Sequence, residues 1–213
     1  MWRVLAIPAL LLFSVAAFPG CSRSDEAVRS DGDPFDGSNY FTGPPLTEEM
    51  VGAAEAKLGY KLPQSYLRLI RIKNGGSLKR NCFPMKTFRA NEYLKLKGIV
   101  GIGGEWGIDS ETLGSRLLIR GWGYPDVGIV IGQMPSAGHD AIMLDYSLCG
   151  PKGEPRVIHV ETETGEGKPE VTVLAPDFET FMRGFVDSDM RGREVVPNPP
   201  RQQTGPPPGD SAR

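Results

Sequence analysis

The chain has 213 residues, a formal net charge of −2, 39% hydrophobic residues and 23% charged residues. This composition is typical of one ordinary globular domain with additions at its ends, and it excludes a fibre or a fully disordered chain. The charge is close to neutral, and Lys and Arg are scattered along the chain, so nucleic acid is not a predicted partner.

The first 20 residues predict an export signal of the lipoprotein type. Arg3 gives a short basic start, and an apolar run from Val4 to Phe18 ends at Pro19-Gly20-Cys21. A membrane-spanning helix needs about 20 apolar residues, so this run fits a signal peptide. Its end resembles a bacterial lipobox, which implies that Cys21 is the lipid attachment site. Ordinary secretion, with cleavage after Ala17, is the alternative.

Two polar segments frame a predicted central domain. Residues 21–45 are rich in Ser, Asp, Gly and Pro and predict a disordered tether. Residues 188–213 carry proline runs mixed with Arg and Gln, and they predict a disordered, extended tail. The domain is therefore expected over residues 46–187.

This domain opens with two predicted helices. Thr47 is the expected N-cap of the first helix, which ends at Gly59. Between them, apolar residues recur at helical spacing: Val51, Ala54 and Leu58. Pro63 fits the first position of a second helix, and Asn74-Gly75-Gly76 provides its left-handed exit.

Strands are predicted after these helices, and one further helix closes the domain. Residues 93–101 and 127–131 are short β-prone runs bounded by glycines. A hairpin is predicted between strands 140–146 and 156–162. Asp177 is the expected N-cap of the closing helix, whose apolar side chains are expected to pack in the core: Phe178, Phe181, Met182 and Phe185.

The predicted hairpin register separates an apolar face from a polar face. In this register His139 lies opposite Glu163, and His159 lies opposite Met143. The apolar face then holds Ile142, Leu144, Tyr146, Ile158 and Val160, and the polar face holds mainly His139, Met143, Asp145, His159, Glu161 and Glu163. The two imidazoles would lie roughly 13 Å apart, too far to share a metal ion. No metal site and no catalytic residue is therefore predicted, although a bent or slipped register is an alternative that could create such a site on this face. No phosphate loop or nucleophile elbow is present in the sequence.

Two groups of short blocks resemble the SUKH superfamily, in the branch named for the fungal Smi and Knr proteins. The first group is similar to the opening helices of that branch: Leu46-Thr47-Glu48-Glu49, Leu58-Gly59, Leu62-Pro63, Tyr66 and Asn74-Gly75-Gly76. The second is similar to a bacterial subset: Gly121-Trp122-Gly123-Tyr124-Pro125, Pro135 to Asp140, Leu144-Asp145-Tyr146, Cys149-Gly150-Pro151 and Gly153 to Val157. The resemblance covers nearly the whole predicted domain.

The resemblance implies an α+β single domain, with an antiparallel sheet flanked by helices and a groove used for protein contacts. Bacterial relatives are typically immunity proteins that neutralise secreted toxins, and fungal relatives act as regulatory scaffolds. No catalytic residues and no cofactors are implied. Matched positions and the polar hairpin face together provide the candidates for partner binding: Trp122, Tyr124, His139, Asp140, Asp145, Glu154 and Glu161.

Cys82 and Cys149 could form a disulfide in an oxidising envelope, where the bond would close a long loop. The resemblance favours free thiols instead, because Cys149 belongs to a block that cytoplasmic relatives share. We therefore expect both cysteines to be unpaired.

The sequence thus predicts a lipid-anchored, non-enzymatic protein-binding module of the cell envelope. Its expected partner is a protein, with a toxin domain as the leading option, and its expected contact with the membrane is the lipid on Cys21. Two alternatives stay open. One is an envelope scaffold or structural lipoprotein, and the other is a hydrolase, which only the polar hairpin face supports.

Overall fold

A computed structural model of the chain describes residues 32–85, 93–164 and 167–187. The described elements, in chain order, are α1 (Glu48–Leu58), α2 (Gln64–Ile72), β1 (Cys82–Pro84), β2 (Tyr93–Lys95), β3 (Gly98–Ile99), α3 (Ser115–Trp122), β4 (Gly128–Gln133), β5 (Asp140–Asp145), β6 (Arg156–Glu161), β7 (Glu170–Ala175) and α4 (Phe178–Arg183). The predicted signal peptide, the lipid site at Cys21 and the tail at 188–213 lie outside the described residues. Among the helices of the described ranges, none is long and apolar enough to cross a membrane.

The strands form two antiparallel sheets. One has five strands in the order β3-β4-β5-β6-β7, and the other pairs β1 with β2. Helices α1, α2 and α4 pack with one face of the larger sheet in the main core. Helix α3 and Tyr124 cover the other face in a second core. The predicted α+β class, with helices flanking an antiparallel sheet, is confirmed.

Helices α1 and α4 begin where the capping residues predict. The Thr47 hydroxyl accepts a hydrogen bond from the Met50 N–H at 3.3 Å, and Asp177 accepts one from the Thr180 N–H at 2.7 Å. Gly59 ends α1 in the left-handed conformation, with φ of 84°, which residues other than glycine rarely adopt. These ends are set by local chemistry.

Helix α3 and strand β7 are absent from the sequence-based prediction. The sequence of α3 does carry a helix signal. Ser115 and Ile119 are one turn apart and both face the core, as in an amphipathic helix. In β7, Val171 and Val173 alternate with polar residues, a strand-like pattern, yet both valines are exposed. Helix α3 has only eight residues and lies between Gly114 and Gly123, which weakens its sequence signal.

The N-terminal boundary of the packed domain is also corrected. Residues 33–45 were assigned to the tether, but Phe35 is 0% exposed and Phe41 is 4% exposed. Phe35 forms a β-bridge with Leu78, and the Gly43 N–H donates to the Asn74 carbonyl at 2.7 Å. The compact unit therefore begins at Asp33. Two aromatic side chains supply the buried surface that the average composition of this segment conceals.

The hairpin register differs by one residue from the predicted one. Asp140 pairs with Glu161, and Asp145 pairs with Arg156. Because side chains alternate along a strand, this slip moves every β6 side chain to the opposite face. His159 and Glu161 now share a face with Asp140 and the main-core residues of β5, while Ile158 and Val160 lie in the second core. The prediction that the hairpin has a polar, solvent-facing side was wrong.

A candidate protein-binding cleft

A cleft of about 580 Å³ opens between the end of α1, helix α3 and the loop that follows β5. We call it the α1–α3 cleft. Three separate parts of the chain contribute its main side chains: Leu58, Tyr60, Arg116, Ile119, Arg120 and Tyr146. None of these was predicted from the sequence as a contact residue, because only the fold brings them together.

Two tyrosines form the floor of the α1–α3 cleft. The ring centroids of Tyr60 and Tyr146 lie 4.4 Å apart, with 32° between the ring planes. The Tyr146 hydroxyl donates a hydrogen bond to the Lys61 carbonyl at 2.6 Å, which holds its ring in place. Burial raises the pKa of both phenols, and for Tyr60 the nearby Asp126 adds to this effect. Both phenols are therefore neutral at physiological pH. Tyr146 is 2% exposed, so it packs behind the half-buried Tyr60 ring, and Tyr60 is the tyrosine that offers aromatic contact area.

Two arginines form one wall of the cleft. Arg116 and Arg120 are exposed and lie one turn apart on α3. An Arg116 N–H donates to the Leu58 carbonyl and the Arg120 Nε–H donates to the Arg116 carbonyl, each at 3.3 Å. Within the described residues, neither guanidinium forms an ion pair with a carboxylate. Since a guanidinium has five N–H donors, most of them remain open to a ligand.

Trp122 and His139, two of the predicted contact residues, lie together on another part of the surface. Trp122 is 40% exposed, and its ring meets the His139 ring edge to face at 5.3 Å. The His139 Nδ1 lies 2.7 Å from a Glu163 carboxylate oxygen. Trp122 follows Arg120 by two positions, so it projects from a different side of α3 than the cleft arginines. A contact role for Trp122 and His139 stays a prediction.

Glu154, a further predicted contact residue, is exposed and is not one of the residues that line the cleft. It lines a polar pocket of about 450 Å³ together with Arg68 and Asp177. Partial desolvation of its carboxyl group in this pocket raises the pKa of that group, and the charge of Asp177 acts in the same direction. Its contact role also stays a prediction.

The other four predicted contact residues are buried. Tyr124 is 5% exposed, Asp140 6%, Asp145 2% and Glu161 1%. Tyr124 belongs to the second core, and its hydroxyl donates to the Gly138 carbonyl. The slipped register and the cover of α3 are the physical reasons for this burial. The folded domain therefore does not present these four side chains to a partner.

Three of the buried polar side chains lie close together in the five-stranded sheet. Asp140, His159 and Glu161 each offer a ligand atom, and these atoms all lie within 4.8 Å of one another. The His159 Nε2 is 2.9 Å from Asp140 Oδ2. The Ser136 hydroxyl donates to Asp140 Oδ1, and the Glu163 N–H donates to Glu161 Oε1. Asp140 and Glu161 have further interactions as well.

This buried group contains side chains that can bind divalent metals. Neighbouring ligands of a tetrahedral zinc lie about 3.4 Å apart, given bonds near 2.1 Å. The three side chains would have to draw together to hold such an ion. Their present geometry is that of a hydrogen-bonded network, and their burial keeps a substrate away from them.

The two remaining cysteines do not form a reactive pair. Cys82 lies buried in β1, Cys149 lies exposed after β5, and both thiols are free in the structure. Although the residue is exposed, partial desolvation of its sulfur raises the pKa of the Cys149 thiol. Because the thiolate is the nucleophilic form, this shift makes Cys149 a weak nucleophile at neutral pH.

The fold defines a class: a single α+β domain with an antiparallel sheet flanked by helices. The family model described as "SMI1 / KNR4 family (SUKH-1)" matches residues 45–184, so the chain belongs to that family. The resemblance to the SUKH superfamily is thereby confirmed. Domains of this family typically bind protein partners such as toxins, and they are generally non-catalytic. No curated protein and no solved structure matches the chain significantly.

Proposed function

We propose that this protein is a lipid-anchored, non-catalytic binding module of the bacterial cell envelope, and that the α1–α3 cleft receives part of a protein partner. The observation that carries the proposal is the make-up of the cleft. Its floor is the half-buried Tyr60 ring, which packs against the buried, hydrogen-bonded Tyr146, and the exposed Arg116 and Arg120 lie beside it with open donors. Tyrosine and arginine, together with tryptophan, are the residue types enriched among the side chains that contribute most to affinity at protein interfaces.

The partner that the family favours is a toxin. SUKH domains are commonly immunity proteins, so neutralisation of a toxin by cleft binding is the leading proposal. An envelope scaffold is the alternative. It would use the same cleft and would differ only in the identity of the protein bound.

A non-catalytic role is supported by the positions of the polar hairpin residues. The hydrolase alternative depended on His159, Asp145 and Glu161, which are all at most 2% exposed. A catalytic acid or base has to reach the substrate within hydrogen-bonding distance. His139 is more exposed, but it is engaged by Glu163 and packs against Trp122.

Anchoring through Cys21 is supported by the sequence alone. The apolar run Val4 to Phe18 and the following Gly20 place this cysteine where a lipoprotein is acylated. Two acyl chains hold a protein on a membrane stably, whereas one gives only marginal binding. The anchor would keep the domain in the envelope, where it would meet an envelope-acting toxin.

Photo-crosslinking in the producing cells tests the cleft. A photoreactive amino acid is placed at Val127, which lines the cleft, and, as the matched control, at Ile72, which is 50% exposed on α2. We expect a discrete adduct with another protein from position 127 and none from position 72. A toxin domain in the adduct supports immunity, and a resident envelope protein supports the scaffold. Equal adducts from both positions, or none from either, contradict the proposal.

Fractionation tests the anchor. We expect the wild-type protein in the membrane fraction, labelled by a fatty-acid analogue, and the Cys21→Ser variant to be unlabelled. An unlabelled wild type would show that the anchor is wrong, without affecting the cleft.

A further inference from the structure

We infer that the α1–α3 cleft recognises a carboxylate-bearing segment of its partner, in which Asp or Glu stands next to an apolar or aromatic side chain. This inference rests on the proposed function, since it specifies the chemistry of the segment that the cleft receives. It follows from the charge of the cleft wall, the nature of its floor and the size of the space between them.

The charges that line the cleft favour an anion. Arg116 and Arg120 contribute two positive charges and Asp126 contributes one negative charge, so the lining carries a formal charge of +1. Like charges one helical turn apart repel each other. A bound carboxylate would relieve this repulsion. The planar fork of a guanidinium also matches a carboxylate with two parallel hydrogen bonds.

The protein does not neutralise these arginines itself within the described residues. Glu111 is close enough for the arginines to influence it, yet its carboxylate is engaged by Lys57. The pKa of Glu111 is lowered mainly by the hydrogen bond and charge of Lys57, with smaller contributions from Arg120 and Arg116. Among the residues that the structure describes, the two guanidiniums donate to main-chain carbonyl groups alone. Their positive charge therefore remains available to a partner.

The floor of the cleft determines which kind of side chain can bind next to the carboxylate. Tyr60 presents a half-buried neutral ring that packs against the buried Tyr146, and the half-buried Val127 extends the apolar surface. An apolar or aromatic side chain can pack there while its acidic neighbour meets the arginines. The volume of about 580 Å³ is within the usual range for pockets that enclose small ligands, so a short segment would fill it.

Binding of labelled peptides to the full-length protein in detergent micelles tests this inference. The probes are a twelve-residue peptide with repeated Asp-Phe-Glu, an otherwise identical peptide with Asn-Phe-Gln, and a single-stranded oligonucleotide. We expect the acidic peptide to bind at least tenfold more tightly than its amide counterpart, with binding that weakens as salt is raised. The Arg116→Gln and Arg120→Gln variants should each lose most of this preference. Arg71→Gln is the matched control, because Arg71 is exposed on α2 and paired with Glu48, and it should retain the preference.

Several results would overturn the inference. Equal binding of both peptides, no binding of the acidic peptide, tighter binding of the oligonucleotide, or an equal loss in Arg71→Gln would each do so. The adduct formed at position 127 separates this failure from that of the proposed function. A partner that is crosslinked there through a neutral or basic segment keeps the proposed function and contradicts the acidic segment. An adduct with a second copy of this chain would contradict both.

Discussion

The imidazole Nε2 of His159 lies 2.9 Å from the carboxylate Oδ2 of Asp140, and the two side chains are 1% and 6% exposed. Asp140 faces Glu161 across the ladder and His159 faces Ile142, so the pair joins diagonal neighbours on β5 and β6. A buried polar group without a partner is costly. A one-residue slip would carry His159 to the other face of the sheet and break this contact, so the pair favours the observed register.

A double-mutant cycle measures the contribution of this pair. We expect Asp140→Asn and His159→Gln each to lower the free energy of unfolding by about 2 to 4 kcal/mol, because each leaves a buried partner behind. The double variant should lose at least about 1 kcal/mol less than the sum of the two. Urea denaturation gives all three values. Strict additivity would show that the two side chains are not coupled.

The surface pair of His139 and Glu163 is the matched control for this cycle. Their side chains are 38% and 50% exposed, and ion pairs at the surface contribute at most about 1 kcal/mol. We expect a smaller coupling energy for this pair. A coupling as large as that of the buried pair would mean that burial is not the cause.

The stability of the domain should depend on the ionisation of Asp145. Burial alone would raise the pKa of this carboxyl group, but hydrogen bonds from Ser147 and Arg156 outweigh burial and hold the pKa below its ordinary value of 3.8. The Arg156 Nε–H donates to Asp145 Oδ2 at 2.7 Å. A lowered folded pKa contributes stability above the unfolded pKa, and this stability is lost as the pH falls through the folded pKa.

We therefore expect Asp145→Asn to cost about 1 to 3 kcal/mol at neutral pH. The difference from wild type should shrink as the pH falls below about 4, the ordinary pKa of an aspartate. Denaturation at a series of pH values checks this. A difference that stays constant down to pH 2 would contradict the role of the carboxylate charge.

Trp122 and Tyr124 should respond differently to truncation, although they are two residues apart. Tyr124 belongs to the second core and is 5% exposed, so Tyr124→Ala should cost about 3 to 5 kcal/mol of stability, as other large aromatic truncations do. Trp122 is 40% exposed, and Trp122→Ala should leave a folded protein. If Trp122 contacts the partner, its loss should weaken capture by about 1 kcal/mol or more. Calorimetric unfolding and a binding assay on the same samples separate the loss of stability from the loss of binding. A Tyr124→Ala variant that is as stable as the wild type would contradict the core position of Tyr124.

Phe35 tests the corrected boundary of the domain. Its side chain is 0% exposed and lies in the main core, so Phe35→Ala should lower the free energy of unfolding by about 3 to 5 kcal/mol. Tyr40, which is 48% exposed, is the matched control, and Tyr40→Ala should cost less than half as much. Equal denaturation curves for both variants would mean that residues 33–45 belong to the tether and not to the packed domain.

Local interactions account for what the sequence determined about this protein. Thr47 and Asp177 begin their helices because each side chain caps an N–H three residues ahead, and Gly59 ends α1 because its φ is positive. The order of the SUKH blocks predicts the α+β class. These features depend on neighbours along the chain, so they can be read from residue type and spacing.

The tertiary structure alone decided the hairpin register and the composition of the candidate site. The connection from Asp145 to Arg156 is too long for a turn type to fix the register, and the buried contacts of Asp140, His159 and Arg156 accompany the register that forms. Because the observed register differs by one residue, side chains that were predicted to form a contact surface are buried. The α1–α3 cleft joins Tyr60, Arg116 and Tyr146, which are far apart in the chain. Such a site has no sequence signature, because its members are neighbours only after the sheet and helices have packed.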